Sequence, residues 1–290
     1  MAELSQYVLT GLGTGASYAL VGLGIALIVQ VTGVINFAQG DFVMLGGLSF
    51  ALLVGTGMNP VLAATLAVAG TMATGAIVNF AVIAPARHAD PTRLIILTIG
   101  ASIVIQGAAL VAVGTRPQFT PEFSGDEPLR FAGVNLPLQY LWIAGAAGMM
   151  VTAVWLLMTR TMVGRAMRAV AMDPTAARLV GISPKKMSLA VFALAALLGG
   201  IGGVMLAPIQ APDPQIGIAL GLKGFTAAVI GGLDNPAGAV AGGLLIGVLE
   251  ALAAGYLPSG YKEAFVYGLL VAVLLCRPTG LLRAKVVARV

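Results

Sequence analysis

The chain has 290 residues, of which 59% are hydrophobic and only 9% are charged, against about 25% charged residues in a typical soluble domain. Its mean hydropathy is +0.98, and apolar segments long enough to cross a hydrocarbon core of about 30 Å recur throughout. Composition therefore excludes a soluble globular domain and predicts an all-α, polytopic membrane protein. The net charge of +5 does not indicate nucleic-acid binding, because the basic residues lie in loops beside the apolar segments, where they set orientation.

The apolar pattern predicts eight to nine membrane segments in one transmembrane domain covering 1–290, with some segments discontinuous. A membrane span must be helical because backbone groups in lipid have no other hydrogen-bond partners. The predicted segments lie at about 8–29, 42–54, 60–83, 94–113, 138–158, 187–207, 224–230, 236–256 and 263–276.

Charge asymmetry predicts how these segments are oriented. Twelve of the 16 Lys and Arg residues fall in alternate loops and the C-terminal tail, on one side of the predicted bundle. The opposite side receives loop 115–137, where Glu122, Asp126 and Glu127 outnumber the basic residues. Because basic loops stay in the cytoplasm, we expect an external N-terminus and a cytoplasmic C-terminus.

Two segments are too broken to be ordinary spans. In 32–41, Gly33 can end a helix, and Asn36, Gln39 and Asp41 bring polar groups to the membrane boundary. In 223–238, a helix of about 7–9 residues stops at the Gly231–Gly232 pair and restarts after Asp234 and Asn235, too short to cross alone. Such interruptions point to the central pathway of a transporter. The alternative is that both are ordinary cytoplasmic turns.

Acidic residues inside apolar segments have two interpretations. Glu250 lies in an apolar helix, where acids are costly and often functional, but a structural role is at least as plausible as transport. Asp41 would favour the positive end of a helix that starts nearby, so capping is its leading interpretation. Together with Asn36, Gln39, Asp234 and Asn235, both acids are candidates for lining a translocation pathway.

Side chains for catalysis or metal binding are scarce. Cys276 and His88 are the single cysteine and histidine, and neither belongs to a cluster with metal-ligand spacing. The phosphate-loop pattern G-x-x-x-x-G-K-[ST] does not occur, so the chain should not hydrolyse ATP by itself. We therefore expect no catalytic residue, no metal site and no cofactor in this chain.

The basic loop at about 159–187 carries local structure of its own. Asp173 is a good N-cap, Pro174 suits the first helical position, and Gly181 supplies a left-handed stop. These signals predict a short helix at 174–180, and Ser183 with Pro184 then starts the next membrane helix. A capped two-turn helix on the cytoplasmic face is typical of a docking element.

Three sequence runs together resemble the branched-chain amino acid ABC importer permeases of the LivH type. They are GVINFAQGDFVMLGG (33–47), GRAMRAVAMDPTAARLVGI (164–182) and GFTAAVIGGLDNPAGAVAGGLLIGVLE (224–250). The runs occur in the family's order, and the resemblance extends over essentially the whole chain. It implies a permease in a bacterial inner membrane that imports branched-chain or related small apolar amino acids.

The resemblance also implies partners and site residues. The partners would be a LivM-type permease, two cytoplasmic ATPase subunits that bind ATP and Mg²⁺, and an extracytoplasmic solute-binding protein, all working at a lipid bilayer. Many family members have an acidic residue where this chain has Met172. The basic loop would carry the coupling helix that docks on the ATPase, with two alanines on its surface. The implied docking residues are Gly164, Arg165, Arg168, Asp173, Pro174, Ala176, Ala177, Arg178 and Gly181.

Other functions remain open on the sequence alone. Permeases of the same type resemble one another across substrates, so import of urea, a short amide or another amino acid is an alternative. An ATP-independent channel or carrier is disfavoured because it needs no docking helix. An intramembrane enzyme is disfavoured by the lack of a coherent His, Cys or carboxylate cluster.

Overall fold

The computed structural model of the protein describes residues 2–86, 89–125, 127–131, 134–277 and 280–281. Within these ranges the chain forms eleven α-helices and one antiparallel hairpin of β1 (Leu129–Phe131) and β2 (Val134–Leu136). The helices are α1 (Ala2–Thr32), α2 (Gln39–Gly55), α3 (Pro60–Val78), α4 (Pro91–Val113), α5 (Leu138–Arg160), α6 (Met162–Met172), α7 (Pro174–Leu179), α8 (Pro184–Leu206), α9 (Ile216–Gly231), α10 (Pro236–Tyr256) and α11 (Lys262–Cys276).

The membrane helices match the predicted segments. Among the described residues, six helices are long and apolar enough to cross a membrane: α1, α3 with the π-helical turn Asn79–Ile83 that continues it, α4, α5, α8 and α10. Helices α2 and α9 are shorter apolar helices of 17 and 16 residues, or about 26 and 24 Å at 1.5 Å per residue. With α11 they correspond to the nine predicted segments, and the all-α, polytopic fold class is confirmed.

The predicted start of α9 was wrong. The helix begins at Ile216 rather than near residue 224, so Lys223 lies inside it. Asp213 starts α9 earlier, because its carboxylate accepts hydrogen bonds from the backbone N–H groups of Gln215 and Ile216 at 2.7 and 3.0 Å. The end of the helix was predicted correctly, since α9 stops at Gly231 and Gly232 has a φ of +107°.

Helix α1 is the central element of the bundle and packs against α5, α8, α9 and α10. Its contact with α10 depends on small residues: a Cβ at Gly247 would meet the backbone of Gly11 and Gly15. Close backbone approach of this kind is how membrane helices associate without a hydrophobic driving force. Gly11 and Gly15 of α1, and Gly243 and Gly247 of α10, are each four residues apart and serve this packing.

The end of the helix bundle that carries the basic segment 160–186 is called the basic end below. One cavity lies at this end, between the α6–α7 segment and the membrane helices. It is lined by Thr32 of α1, the π-helical turn, Leu94 of α4 and Pro184 of α8. At the opposite end, Gln139 joins the 114–128 loop to the bundle, because its side chain accepts from the Phe123 N–H and donates to the Met205 carbonyl at 2.7 Å. Six residues used in the orientation and site predictions lie outside the described residues. They are Arg87, His88 and Asp126, predicted in loops, and Arg283, Lys285 and Arg289, predicted in the C-terminal tail.

Candidate functional site

The short helix predicted in the basic segment is present as α7. The Asp173 carboxylate accepts hydrogen bonds from the backbone N–H groups of Thr175 and Ala176 at 2.7 and 3.1 Å. Pro174 is the first helical residue, and Gly181 has a φ of +83°, which only glycine adopts readily. The backbone N–H of Ile182 then donates to the Ala177 carbonyl at 2.9 Å. Local signals therefore determine both ends of α7, and its end differs from the prediction by one residue.

The orientation of α7 differs from the expectation that both alanines lie on its surface. Ala176 is exposed, but Ala177 is only 2% exposed and packs within the hydrophobic core. Leu179 and Val180 are exposed instead, with 86% and 74% of their surface accessible to solvent. Together they form a small exposed apolar patch at the end of a capped helix. Sequence reasoning missed this pair, although both precede the predicted stop at Gly181.

Helix α6 holds the other predicted docking residues and was not predicted as a helix. Thr161 caps it, accepting a hydrogen bond from the Gly164 N–H at 3.1 Å. Gly164 is buried against the last turn of α5, where a Cβ would meet the backbone of Leu157 and Met158. Arg165 and Arg168 point outward and are exposed, as is Arg178 on α7. The basic end thus presents three exposed arginines and one exposed apolar pair.

The first predicted break places the start of α2 at mid-depth in the bundle. Gln39 begins α2, and its amide donates to the carbonyl of Ala195, at the midpoint of α8, at 2.9 Å. Asn36 accepts from the Ala38 N–H at 3.2 Å and is fully buried, as is Gln39. The chain from Gly33 to Ala38 is not helical and returns from the basic end into the bundle. The break is therefore an interruption inside the protein rather than a surface turn.

Asp41 lies between the starts of two helices. It is in the first turn of α2, and a Cβ at Gly217, in the first turn of α9, would meet its carboxylate. The same carboxylate accepts a hydrogen bond from the Gln106 side chain at 2.8 Å. The position of Asp41 suits the partial positive charge of helix starts, but its side chain caps neither helix by a hydrogen bond. The residue is buried inside this chain.

Glu250 belongs to a buried ionic network that sequence reasoning missed. Its carboxylate oxygen Oε1 lies 2.7 Å from Nζ of Lys223 and 2.9 Å from Nζ of Lys262. Lys223 also donates to the Tyr18 hydroxyl at 3.3 Å, which joins α1, α9, α10 and the start of α11. The side chains of Lys223 and Glu250 are 7% and 6% exposed. The geometry favours the structural interpretation of Glu250.

The second predicted break is a tight turn from α9 into α10. Asp234 is exposed and Asn235 is half-buried. The C-terminal segment contacts the end of α9 beside this turn, where the Leu281 N–H donates to the Ile230 carbonyl at 2.7 Å. The six candidate pathway residues thus occupy three different environments. Asn36, Gln39 and Asp41 lie together at the start of α2, Asp234 and Asn235 lie together in the turn, and Glu250 is in the ionic network.

Comparison with known proteins gives consistent matches. Residues 7–274 match the family model described as branched-chain amino acid transport system, permease component. The high-affinity branched-chain amino acid transport permease LivH of Escherichia coli strain K12 is 31% identical, over 98% of this chain and 97% of the relative. BraD of Pseudomonas aeruginosa, a permease with the same description, is 32% identical over the same shares.

Two further comparisons extend beyond these relatives. The ribose import permease RbsC of Escherichia coli strain K12 is 26% identical over 83% of this chain and 73% of that protein. The solved structure of PsaBC from Streptococcus pneumoniae in complex with Fab superposes with a TM-score of 0.52, covering 96% of this chain and 93% of that one. The sequence identity in that superposition is 11%, so it shows a shared fold and no more.

Proposed function

The chain belongs to the family of branched-chain amino acid transport permeases, and from that premise we propose that it is the membrane-spanning subunit of an ATP-driven importer of branched-chain or related small apolar amino acids. The observation that carries the ATP-driven part is α7, a capped helix at the basic end with an exposed apolar pair. A channel or secondary carrier needs no such docking surface. The family match and the multiple membrane helices support the transport role.

Docking on a separate ATPase would use the outer face of α7. Leu179 and Val180 would enter an apolar groove of the ATPase, and Arg165 and Arg168 would make charge-assisted hydrogen bonds at its rim, whereas Arg178 lines a cavity beside α7. Ala177 serves the opposite purpose, because its small side chain lets α7 pack closely on the bundle. Movement of the ATPase pair would then reach the membrane helices through α7 and α6 as one unit.

The proposed assembly contains a LivM-type permease, two cytoplasmic ATPase subunits and an extracytoplasmic solute-binding protein. ATP and Mg²⁺ would bind in the ATPase subunits, and this chain would supply neither a catalytic residue nor a metal ligand. The assembly would lie in a bacterial inner membrane. The N-terminus of this chain would be outside and its C-terminus in the cytoplasm, so that the basic end faces the ATPases.

The start of α2 is the part of this chain proposed to meet the solute. A zwitterionic amino acid needs compensation for both charges, and interrupted helices supply partial charges at membrane depth. Asn36 and Gln39 are enclosed in this conformation, so we propose that α2 moves to expose them when the pathway opens. Asp234 and Asn235, in the α9–α10 turn, and Glu250, in an ionic network, would contribute to the structure of the bundle.

The similarity to a ribose import permease favours a second candidate, import of a different solute by the same mechanism. The alternatives are urea, short amides and other amino acids. We would reconstitute this chain with its partner subunits and measure ATP hydrolysis with binding proteins loaded with different solutes. Stimulation by a leucine-loaded binding protein is expected. Stimulation only by another loaded binding protein would reassign the substrate and leave the coupling proposal intact.

A further inference from the structure

The cavity at the basic end has a volume of about 600 Å³, within the range of small-molecule sites in proteins. It lies between α7 and the ends of four membrane helices. Val31 and Thr32 end α1, Leu94 is in the first turn of α4, and Pro184 begins α8. Because these helices begin or end here, the cavity lies at the basic end of the bundle, where the proposed orientation places the cytoplasmic lipid headgroups.

The lining of the cavity is divided chemically. Arg178 of α7 and Lys185 of α8 bring two positive charges, and no Asp or Glu is among the lining residues. Neither cation forms an ion pair within the part of the chain that the structure describes. The remaining wall is mostly apolar: Val31, Val34, Ile83, Leu94, Val170 and Ile182. An occupant should therefore carry a negative group and an adjoining apolar chain.

The π-helical turn that follows α3 also lines the cavity. Asn79 and Ile83 of this turn both line the cavity, and the Asn79 side chain donates to the Ser188 hydroxyl of α8 at 2.6 Å. Here the turn ties α3 to α8 beside the cavity, so the wall is held by a specific contact.

We propose that this cavity binds an anionic phospholipid. The phosphate would lie between Arg178 and Lys185 at the start of α8, and the upper part of an acyl chain would contact Val34, Ile83 and Leu94. Basic pockets between membrane helices on the cytoplasmic side are typical anionic-lipid sites. The lipid would join the docking helix to α1, α4 and α8, and so hold α7 in position on the bundle.

The direct test uses the full chain in nanodiscs that contain phosphatidylcholine and phosphatidylglycerol carrying a diazirine in its acyl chain. After irradiation, crosslinks are expected on cavity residues such as Val34 and Leu94. Crosslinks confined to outward-facing residues such as Phe80, which is 76% exposed, would overturn the proposal.

The charge requirement is tested by counting retained lipids with native mass spectrometry. The double variant Arg178→Gln/Lys185→Gln should lower phosphatidylglycerol retention about tenfold, whereas the adjacent control Lys186→Gln, which lies outside the cavity, should retain it. Equal loss in both variants would indicate only general surface charge and overturn the site. Loss of the lipid from the unmodified chain when ATPase subunits bind would assign the cavity to that protein partner instead.

Discussion

The ion pair between Lys223 and Glu250 gives the sharpest quantitative prediction. The two groups are 2.7 Å apart, and both side chains are almost fully buried. Removing one member of such a pair costs about 3–5 kcal/mol, because the other charge is left without compensation. Glu250→Leu should therefore lower the free energy of unfolding by about that amount, since Lys223 would keep only the Tyr18 hydroxyl and ring.

The three charged residues should not be equivalent. Lys223→Met should cost less than Glu250→Leu, because Glu250 keeps its 2.9 Å contact with Lys262. Lys262→Met should cost less than about 1 kcal/mol, since the Lys262 side chain is 38% exposed and already shares its charge with water. The expected order of destabilisation is Glu250→Leu, then Lys223→Met, then Lys262→Met.

A double-mutant cycle separates the loss of the Lys223–Glu250 ion pair from the change in side-chain size. Unfolding in mixed micelles would be followed by the fluorescence of Trp142 and Trp155. The double variant Lys223→Met/Glu250→Leu should be more stable than Glu250→Leu alone, because no unpaired buried charge remains. If the two single costs simply add, the pair does not act as a unit and the reasoning is refuted.

Three further predictions concern docking, packing and orientation. Leu179→Asp should abolish binding-protein stimulation of ATP hydrolysis without changing membrane insertion, and normal stimulation would count against the outer face of α7 as the docking surface. Gly247→Leu should separate α1 from α10 and lower the yield of folded protein in size-exclusion chromatography. The control Gly100→Leu should not lower the yield, because its Cβ would enter open space. Equal yields of the two variants would contradict the packing account. Cys276, exposed at the end of α11, should react with a membrane-impermeant maleimide only after cells are permeabilised, and labelling of intact cells would reverse the proposed orientation.

Local signals in the sequence predict the ends of the helices well. Asp173 and Gly181 delimit α7, and Gly33 follows the last residue of α1, because capping and left-handed backbone depend on residues within one or two turns. The exceptions are α1, which begins at Ala2 rather than near residue 8, and α9, where Asp213 starts the helix earlier than predicted. The start of α9 was missed although Asp213 and Pro214 repeat the start signal of Asp173 and Pro174, and the Asp213 carboxylate likewise accepts from the backbone two and three residues ahead.

Contacts between distant residues could not be predicted in the same way. Lys223 and Glu250 are 27 positions apart, and each is an isolated charge in an apolar segment until α9 and α10 pack together. The inward direction of Ala177 likewise depends on how α7 rests on the bundle, which its six residues alone do not specify. Burial of Asn36 and Gln39 follows from the return of the chain to mid-depth, where α8 supplies the carbonyl that Gln39 contacts.

The most direct test of the proposed function is leucine uptake into proteoliposomes that contain this chain, its partner permease and loaded binding protein, with and without the ATPase subunits. The account predicts ATP-dependent uptake only when the ATPase subunits are present, and loss of that uptake in Leu179→Asp. Uptake at the full rate without any ATPase would show that α7 transmits no work and would contradict the account.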